Sequence, residues 1–216
     1  MFQRLLILLV LIGAIFALSR SVEIHEVHTD NMAPNLRPGD RLLIDATAFS
    51  RREPVLGEVV LFEMAVEGSR RYPPATRPGL PRGRFVGRIV GTPGDVVAYT
   101  RGVLRINQDR VRDAPIPFTY TDPDGRQPRL YRQSIGLRHF VIARDADRPE
   151  PEALDTQLKD EHYFILGDFR TRAYDSRYWG ALRRRDLLGP VLLILYSRDP
   201  ATRELRWSRA GDGVDG

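Results

Sequence analysis

With 216 residues, of which 42% are hydrophobic and 28% charged, the chain is long enough for one globular domain and too apolar for a disordered protein. It has no cysteine, which excludes a disulfide framework and a thiolate metal site. Its net charge of +5 comes from arginines in short, scattered clusters. A nucleic-acid surface concentrates basic residues with aromatic ones on one face, so we expect no nucleic-acid partner.

The chain begins with an uncharged apolar segment at residues 5–18, between Arg4 and Arg20. With its flanks, the segment at residues 1–24 reaches the roughly 20 residues of a membrane helix. A cleaved secretory signal peptide has the same pattern of a basic start before a short apolar run, so composition leaves both alternatives open. If the segment is retained as an anchor, Arg4 predicts that the N-terminus stays inside and the bulk of the chain lies outside.

Residues 29–40 form a turn-rich segment, Thr-Asp-Asn-Met-Ala-Pro-Asn-Leu-Arg-Pro-Gly-Asp. About a dozen residues separate Asn31 from the end of the apolar run, and an extended chain of that length spans at most about 40 Å. A site built around Asn31 would therefore lie close to the membrane surface if residues 1–24 are an anchor.

Further along the chain, short β-prone runs alternate with turns rich in proline and glycine, such as the turn at residues 93–95. The sequence predicts a hairpin over residues 103–111 that turns at Asn107 and Gln108. Other strands are predicted at residues 41–44, 59–62, 85–90, 96–99, 163–166 and 187–196. These runs favour a mainly β fold.

Two stretches lack this pattern. Residues 112–160 are rich in proline, aspartate and arginine and show little periodicity, which predicts a small irregular insertion or subdomain. This insertion interrupts a β domain that we expect to span residues 25–198. The polar tail, residues 199–216, is expected to fray.

Four short blocks stand out, at residues 29–40, 57–62, 87–95 and 167–180. The second is Gly-Glu-Val-Val-Leu-Phe, the third is Gly-Arg-Ile-Val-Gly-Thr-Pro-Gly-Asp, and the fourth contains Gly-Asp-Phe-Arg followed by Asp-Ser-Arg-Tyr-Trp-Gly. In this order the blocks resemble the type I signal peptidases, which are membrane-anchored serine proteases that remove signal peptides from exported proteins. Each block alone is a weak signal, but four in sequence argue against a chance resemblance.

The resemblance implies a signal-peptidase-like antiparallel β-sheet domain, preceded by one N-terminal membrane helix within residues 1–24. It implies a location in a bacterial-type inner (cytoplasmic) membrane, with the β domain on the export side. The partners that it implies are the membrane and either the signal peptides of exported preproteins or an active sister signal peptidase. No cofactor or metal is expected, and the four histidines show no zinc-binding spacing.

The resemblance also assigns catalytic positions. Signal peptidases use a serine nucleophile and a lysine base that is desolvated in an apolar pocket. The serine position, directly before Met32, is Asn31, and the lysine position, directly before Arg88, is Gly87. The serine that orients the lysine in the family corresponds to Ala173. An amide cannot form an ester-type acyl-enzyme and glycine carries no base, so the three positions predict that the family's catalytic set is not intact.

A replacement base is not apparent. The only lysine, Lys159, lies in the acidic segment 158–161, where its amine is expected to stay charged. The chain is therefore predicted to be an inactive homologue with degenerate catalytic positions.

Other positions still match the family. Thr29 corresponds to the hydroxyl that helps to form the oxyanion hole with the backbone N–H of the nucleophile residue, so Thr29, Asn31 and Met32 are predicted to bind peptide. Asp175 and Arg177 correspond to a structural ion pair. The remaining matches are expected to maintain the fold: Pro34, Arg88, Asp95, Asp168, Arg170 and Ser176.

Three functions stay open at this point. The favoured one is an inactive homologue that binds a peptide, an exported protein or a sister peptidase. The second is an active signal peptidase with a non-standard site, in which Thr29 would use His28 as its base or rely on a partner's residues; adjacent residues of an extended segment point to opposite faces, which disfavours the pair. The third is a structural subunit with a closed groove.

Overall fold

The structure of the chain is a computed structural model that describes residues 21–64, 83–122 and 124–214. The apolar segment at residues 5–18, on which the predicted membrane anchor depends, lies outside the described residues. Within those described ranges, no helix combines the length and the apolar character needed to cross a bilayer.

Antiparallel strands make up most of the described chain, which confirms the prediction of a mainly β fold. The strands are β1 (Val22–Glu26), β2 (Asp40–Asp45), β3 (Val59–Met64), β4 (Gly83–Gly91), β5 (Val96–Thr100), β6 (Val103–Ile106), β7 (Asp109–Arg110), β8 (Asp113–Ile116), β9 (Arg129–Ile135), β10 (Arg138–Arg144), β11 (Ala153–Gln157), β12 (His162–Leu166), β13 (Leu182–Arg183) and β14 (Leu187–Ser197). One helical turn, α1 (Ser176–Trp179), and 3-10 turns at Ala48–Ser50, Arg184–Asp186 and Trp207–Arg209 join them.

The described strands form three sheets. The largest has the order β1-β2-β14-β3-β4-β12-β13, so the last long strand of the chain inserts between β2 and β3. Two smaller sheets have the orders β10-β9-β8 and β11-β5-β6-β7. All named pairs are antiparallel, as in the register that sets Val60 of β3 opposite Gly87 of β4.

Strand β3 lies at the centre of the core because both of its faces are covered. Successive side chains of a strand point to opposite faces. Val60 and Phe62 pack into one apolar cluster, whereas Val59 and Leu61 pack into another. The continuous apolar run at residues 59–62 is thus explained by burial on two sides.

The predicted hairpin at residues 103–111 is present as β6 and β7. Asn107 and Gln108 both have positive φ angles, 52° and 73°, as a two-residue hairpin turn requires. At the Pro-Gly-Asp turn before β2, Gly39 has φ 89°, and a Cβ there would lie 1.8 Å from the backbone oxygen of Arg198. Only glycine fits this position.

The prediction of an irregular insertion at residues 112–160 is wrong in one respect, because the structure places the four strands β8 to β11 there. Apolar residues two positions apart, such as Phe140 and Ile142, are buried, and Val141 between them is only partly buried. The arginines on the outer faces of these strands obscured the alternation in the sequence.

The C-terminal segment also differs from expectation. Residues 199–214 fold back onto the domain instead of fraying, and Val214 is 6% exposed within the core cluster of β2, β3 and β14. The guanidinium of Arg209 donates two hydrogen bonds to Asp40, of 3.0 and 2.6 Å, and one of 2.7 Å to the backbone oxygen of Asn35. Arg209, which belongs to the tail that was expected to fray, is thus an ion-pair partner of the loop that carries Asn31.

Candidate functional site

Three chain segments meet just beyond the end of β12. Gly167 follows the strand, and a Cβ on it would lie 2.3 Å from Cβ of Ala173 and 2.6 Å from the backbone oxygen of Asn31. The backbone N–H of Phe169 donates a hydrogen bond of 2.9 Å to that same oxygen. The structure therefore brings Asn31 and Ala173 together around a backbone that has no room for a side chain.

Gly87 approaches the same place from β4. A Cβ at this position would lie 2.4 Å from Cγ2 of Ile165, 3.3 Å from Cε1 of Phe62 and 3.6 Å from the backbone oxygen of Leu166. Asn31, Gly87 and Ala173 thus surround residues 165–167. At Gly87, however, the adjoining space is filled by the side chain of Ile165.

A cleft of about 420 Å³ opens beside these residues, between the segment at residues 25–32 and the start of β4. Its apolar lining consists of Val27, Met32, Phe85 and Val86. Met32 is 2% exposed and holds the Asn31 loop onto the core, whereas Phe85 and Val86 belong to the strand that carries Gly87. The cleft is therefore lined by Asn31, the position that the family resemblance assigns to the nucleophile, and by the two residues that precede Gly87.

The polar lining of the cleft consists of His25, His28, Thr29, Asn31 and Arg84. The rings of His25 and His28 lie edge to face, with their centroids 6.5 Å apart. Burial, and next the positive charge that His28 acquires, lower the pKa of His25 below its usual value of 6.5. The cleft is thus lined by basic and neutral polar groups, and no carboxylate is among its lining residues in the described part of the chain.

The argument that disfavoured a pair of His28 and Thr29 depends on an extended segment. In the structure β1 ends at Glu26, before both residues, and both line the same cleft. Within the described part of the chain, no hydrogen bond joins the Thr29 hydroxyl to either imidazole. The cleft side chains therefore do not form an assembled nucleophile–base pair.

Lys159 lies in the turn before β12, where its backbone oxygen accepts a hydrogen bond of 3.1 Å from the N–H of His162. Its side chain is exposed. Asn31 contacts the chain just beyond the opposite end of β12, and a strand of five residues spans about 13 Å. The single lysine is therefore not positioned to act as a base beside Asn31.

A buried ion pair lies next to Gly87 and Gly167. Arg88, next to Gly87, and Asp168, next to Gly167, are both fully buried and joined by two parallel hydrogen bonds of 2.9 Å. The side-chain amide of Asn35 donates a further bond of 2.6 Å to Asp168. Such a paired and satisfied carboxylate fixes the backbones of β4 and of the residues after β12 relative to each other.

A second buried pair shapes the turn at residues 167–177. Arg177 donates to both oxygens of Asp175, at 2.8 and 2.7 Å, and Asp175 accepts a bond of 3.0 Å from the backbone N–H of Gly167. Asp175 also caps α1 through the N–H of Arg177, and the hydroxyl of Ser176 accepts a bond of 2.9 Å from the N–H of Ile165. This network holds Ile165 and Gly167 in place.

The remaining matched positions lie in or around this framework. Arg170 is fully buried and donates to the backbone oxygen of Gly167 at 3.1 Å and to Gln133 at 2.5 Å. Asp95 accepts bonds of 2.8 Å from the backbone N–H and the hydroxyl of Thr92, which closes the turn before β5. Pro34 is half-buried in the loop that follows Met32.

Sequence reasoning missed one connection, made by Arg172. This side chain binds Asp145 through two bonds of 2.8 Å and reaches Asp122 at 2.8 Å and Asp30 at 3.1 Å. Arg172 precedes Ala173, and Asp30 precedes Asn31. The ion pairs therefore join the loop that carries Asn31 to Asp145, which follows strand β10 of the three-stranded sheet. No motif marked these residues. In the ranges that the structure describes, no group of three or more histidine, aspartate or glutamate side chains is arranged to hold a metal ion.

The sequence of this chain is similar to those of known proteins. The family model described as "Signal peptidase, peptidase S26" matches residues 1–196. The chain is 30% identical over 192 residues to "Signal peptidase I" of Pseudomonas aeruginosa, with 79% of this chain and 60% of that protein covered. It is 27% identical over 190 residues to "Probable signal peptidase I-2" of Synechocystis sp., with 84% and 70% covered.

The chain thus spans about 60% of the length of the Pseudomonas aeruginosa relative. Among solved structures, a crystal structure of a signal peptidase I from Enterococcus faecalis V583 is 22% identical and covers 64% of this chain and 97% of that chain, with a TM-score of 0.34.

Proposed function

The chain belongs to the signal peptidase family, and we propose that it is a member that binds peptides at the cleft beside Asn31 without hydrolysing them. Its ligands would be signal peptides or exported preproteins, and an active sister signal peptidase would be a further partner. By the same family reasoning, the chain would be held at a bacterial inner membrane by residues 1–24, with the β domain on the export side.

The closed space beside Gly87 carries this proposal. A lysine base needs both a side chain at this position and an apolar pocket that desolvates its amine. Here Cγ2 of Ile165 lies only 2.4 Å from where the first side-chain atom would be. The core around residue 87 is therefore packed so that only glycine fits. This chain lacks the space for a lysine side chain as well as the amine itself. Together with Asn31 and Ala173, Gly87 leaves the family's nucleophile, base and orienting positions without the atoms that the chemistry uses.

Peptide binding is supported by what the cleft retains. Asn31 and Thr29 both line it, and within the described residues neither the Asn31 backbone N–H nor the Thr29 hydroxyl donates a hydrogen bond. Two such donors can hold a peptide carbonyl oxygen. The apolar wall of Val27, Met32 and Val86 suits small apolar side chains. A cleft of this size is also difficult to reconcile with a closed groove.

The proposal is tested with the full chain purified in detergent. A photoreactive signal peptide should label residues 29–32, and a preprotein that carries an Ala-x-Ala site should remain uncleaved. The variant Val86→Trp fills the cleft and should abolish labelling, whereas Val55→Trp, at a position 44% exposed and not among the cleft residues, should not. Labelling that survives Val86→Trp, or saturable cleavage of the preprotein, would overturn the proposal.

An active enzyme with a non-standard site is the second candidate, because His28 and Thr29 share the cleft. It requires a cleavage activity that disappears in Thr29→Ala and persists in Thr47→Ala, a control threonine outside the cleft. Absence of cleavage by the unmodified chain removes this candidate.

A further inference from the structure

The polar residues that line the cleft favour hydrogen-bond donation over acceptance. Each of the five polar lining residues, His25, His28, Thr29, Asn31 and Arg84, can donate a hydrogen bond, and three of them, the two histidines and the arginine, can carry positive charge. Among the described residues that line the cleft, none is an aspartate or a glutamate. A ligand that fits this lining is rich in acceptors and negatively charged at one end.

The donors nearest to the family's reaction centre have no partner inside the protein. Within the described ranges, no hydrogen bond uses the Asn31 backbone N–H, the Asn31 side-chain amide or the Thr29 hydroxyl. The side-chain amide of Asn31 adds two N–H donors where a serine would supply a single hydroxyl. A carboxylate, with two oxygens and about four acceptor sites, satisfies this set better than one peptide carbonyl does.

We propose that the cleft binds peptides that end in a free α-carboxylate, with the carboxylate held by Thr29 and Asn31 and the preceding small apolar residues against Val27, Met32 and Val86. Such peptides are the products of cleavage by another peptidase, so the chain would retain the released segment after the bond has been cut. This inference rests on the proposed peptide-binding function and specifies its ligand.

The charges around the cleft favour the same ligand. His25 is faced by His28 and Arg84 as well as by Glu23 and Glu26 from its own strand, and Glu23 pairs with Arg84. The carboxylate of a bound peptide stays ionised well below pH 6, whereas His25, whose pKa is lowered from 6.5, gains its proton only below that pH. Binding of the carboxylate form should therefore tighten between pH 7 and pH 5.

The experiment compares two peptides of one sequence that ends in Ala-x-Ala, one with a C-terminal carboxylate and the other with a C-terminal carboxamide. Calorimetry with the detergent-purified full chain should show about tenfold tighter binding of the carboxylate, which corresponds to about 1.4 kcal/mol. The variant Arg84→Gln should reduce this ratio by at least half. Arg129→Gln, an exposed arginine of β9 outside the cleft, should leave the ratio unchanged.

The outcomes separate this inference from the function on which it rests. Equal affinity for the two peptides overturns the carboxylate preference and leaves peptide binding intact. Failure of both peptides to bind overturns the inference and the proposed function together. A preference for the carboxylate that does not change between pH 7 and pH 5 and is unaffected by Arg84→Gln shows binding outside the cleft, and also overturns the inference.

Discussion

Gly87 and Ile165 are packed so closely that a Cβ on residue 87 would lie 2.4 Å from Cγ2 of Ile165. This methyl group is attached directly to Cβ of a β-branched side chain, so it moves only if χ1 changes, and β-branched side chains are stiff at χ1. Ile165 is 1% exposed and surrounded by the cluster of β3, β4 and β12. The position that the family resemblance assigns to the base is thus part of a closed core in this chain.

The first prediction concerns stability. Gly87→Ala should lower the free energy of unfolding by about 2 kcal/mol, since overpacking a filled core forces side chains and backbone to shift. Chemical denaturation measures this change. In an Ile165→Leu background, which removes the β-branch, the same substitution should cost clearly less, and the coupling in this double-mutant cycle reports the contact directly. Equal costs in the two backgrounds would show that Ile165 does not close the space.

The second prediction concerns restored catalysis. The triple variant Asn31→Ser, Gly87→Lys, Ala173→Ser should remain inactive because Ile165 occupies the space that a lysine side chain needs. Adding Ile165→Ala should open the pocket and permit cleavage of a preprotein, measured by gel shift of the processed product.

The variant Gly87→Lys, Ala173→Ser, Ile165→Ala, which keeps Asn31, provides the matched control, since it has the base without the nucleophile and should not cleave. Cleavage by the triple variant with Ile165 intact would contradict the role of this residue.

The third prediction concerns the C-terminal segment. Asp40 is fully buried and accepts hydrogen bonds from Arg209, from the hydroxyl of Ser197 at 2.5 Å and from the backbone N–H of Arg37 at 2.8 Å. Arg209→Ala should destabilise the fold by about 3 kcal/mol, because it leaves a buried carboxylate without its main counter-charge. Thermal or chemical unfolding tests it. Arg129→Ala, which removes an exposed arginine, should change stability little.

The fourth prediction concerns how the stability of the fold depends on pH. Hydrogen bonds from the Arg172 guanidinium hold the pKa of Asp145 below its ordinary value of 3.8. A carboxyl group with a lowered pKa in the folded state contributes stability that is present above its unfolded pKa and is lost as the pH falls through the folded value. The contribution is therefore complete at pH 7 and declines progressively below about pH 5.

Asp145→Asn should then lower stability at pH 7 and flatten the decline of the unfolding free energy between pH 5 and pH 3. Urea denaturation at several pH values measures both effects. Asp147→Asn, at an exposed position two residues away, serves as the control and should leave the pH profile unchanged. A profile for Asp145→Asn as steep as that of the unmodified chain would contradict the ion pair with Arg172.

Much of the sheet was predictable from the chain itself. The runs at residues 59–62 and 96–99 became β3 and β5 because local β propensity and two-sided burial agree there. The strands at residues 129–144 were not predicted. Their arginines and other polar residues interrupt the alternation of apolar residues that would indicate a strand. The prediction that Asn31 and Gly87 cannot serve as nucleophile and base depends only on residue identities, because an asparagine has no hydroxyl and a glycine no amine side chain.

The sequence by itself determined the family of this chain and predicted that Asn31 and Gly87 stand at the positions of the family's serine and lysine, since both depend on single side chains in ordered motifs. Only the tertiary structure decided that Ile165 fills the space beside Gly87 and that His25 and His28 share one cleft. It also decided that Arg209 supports the Asn31 loop across 169 positions of sequence. These are contacts between distant segments, and their distances are set by how the sheets pack.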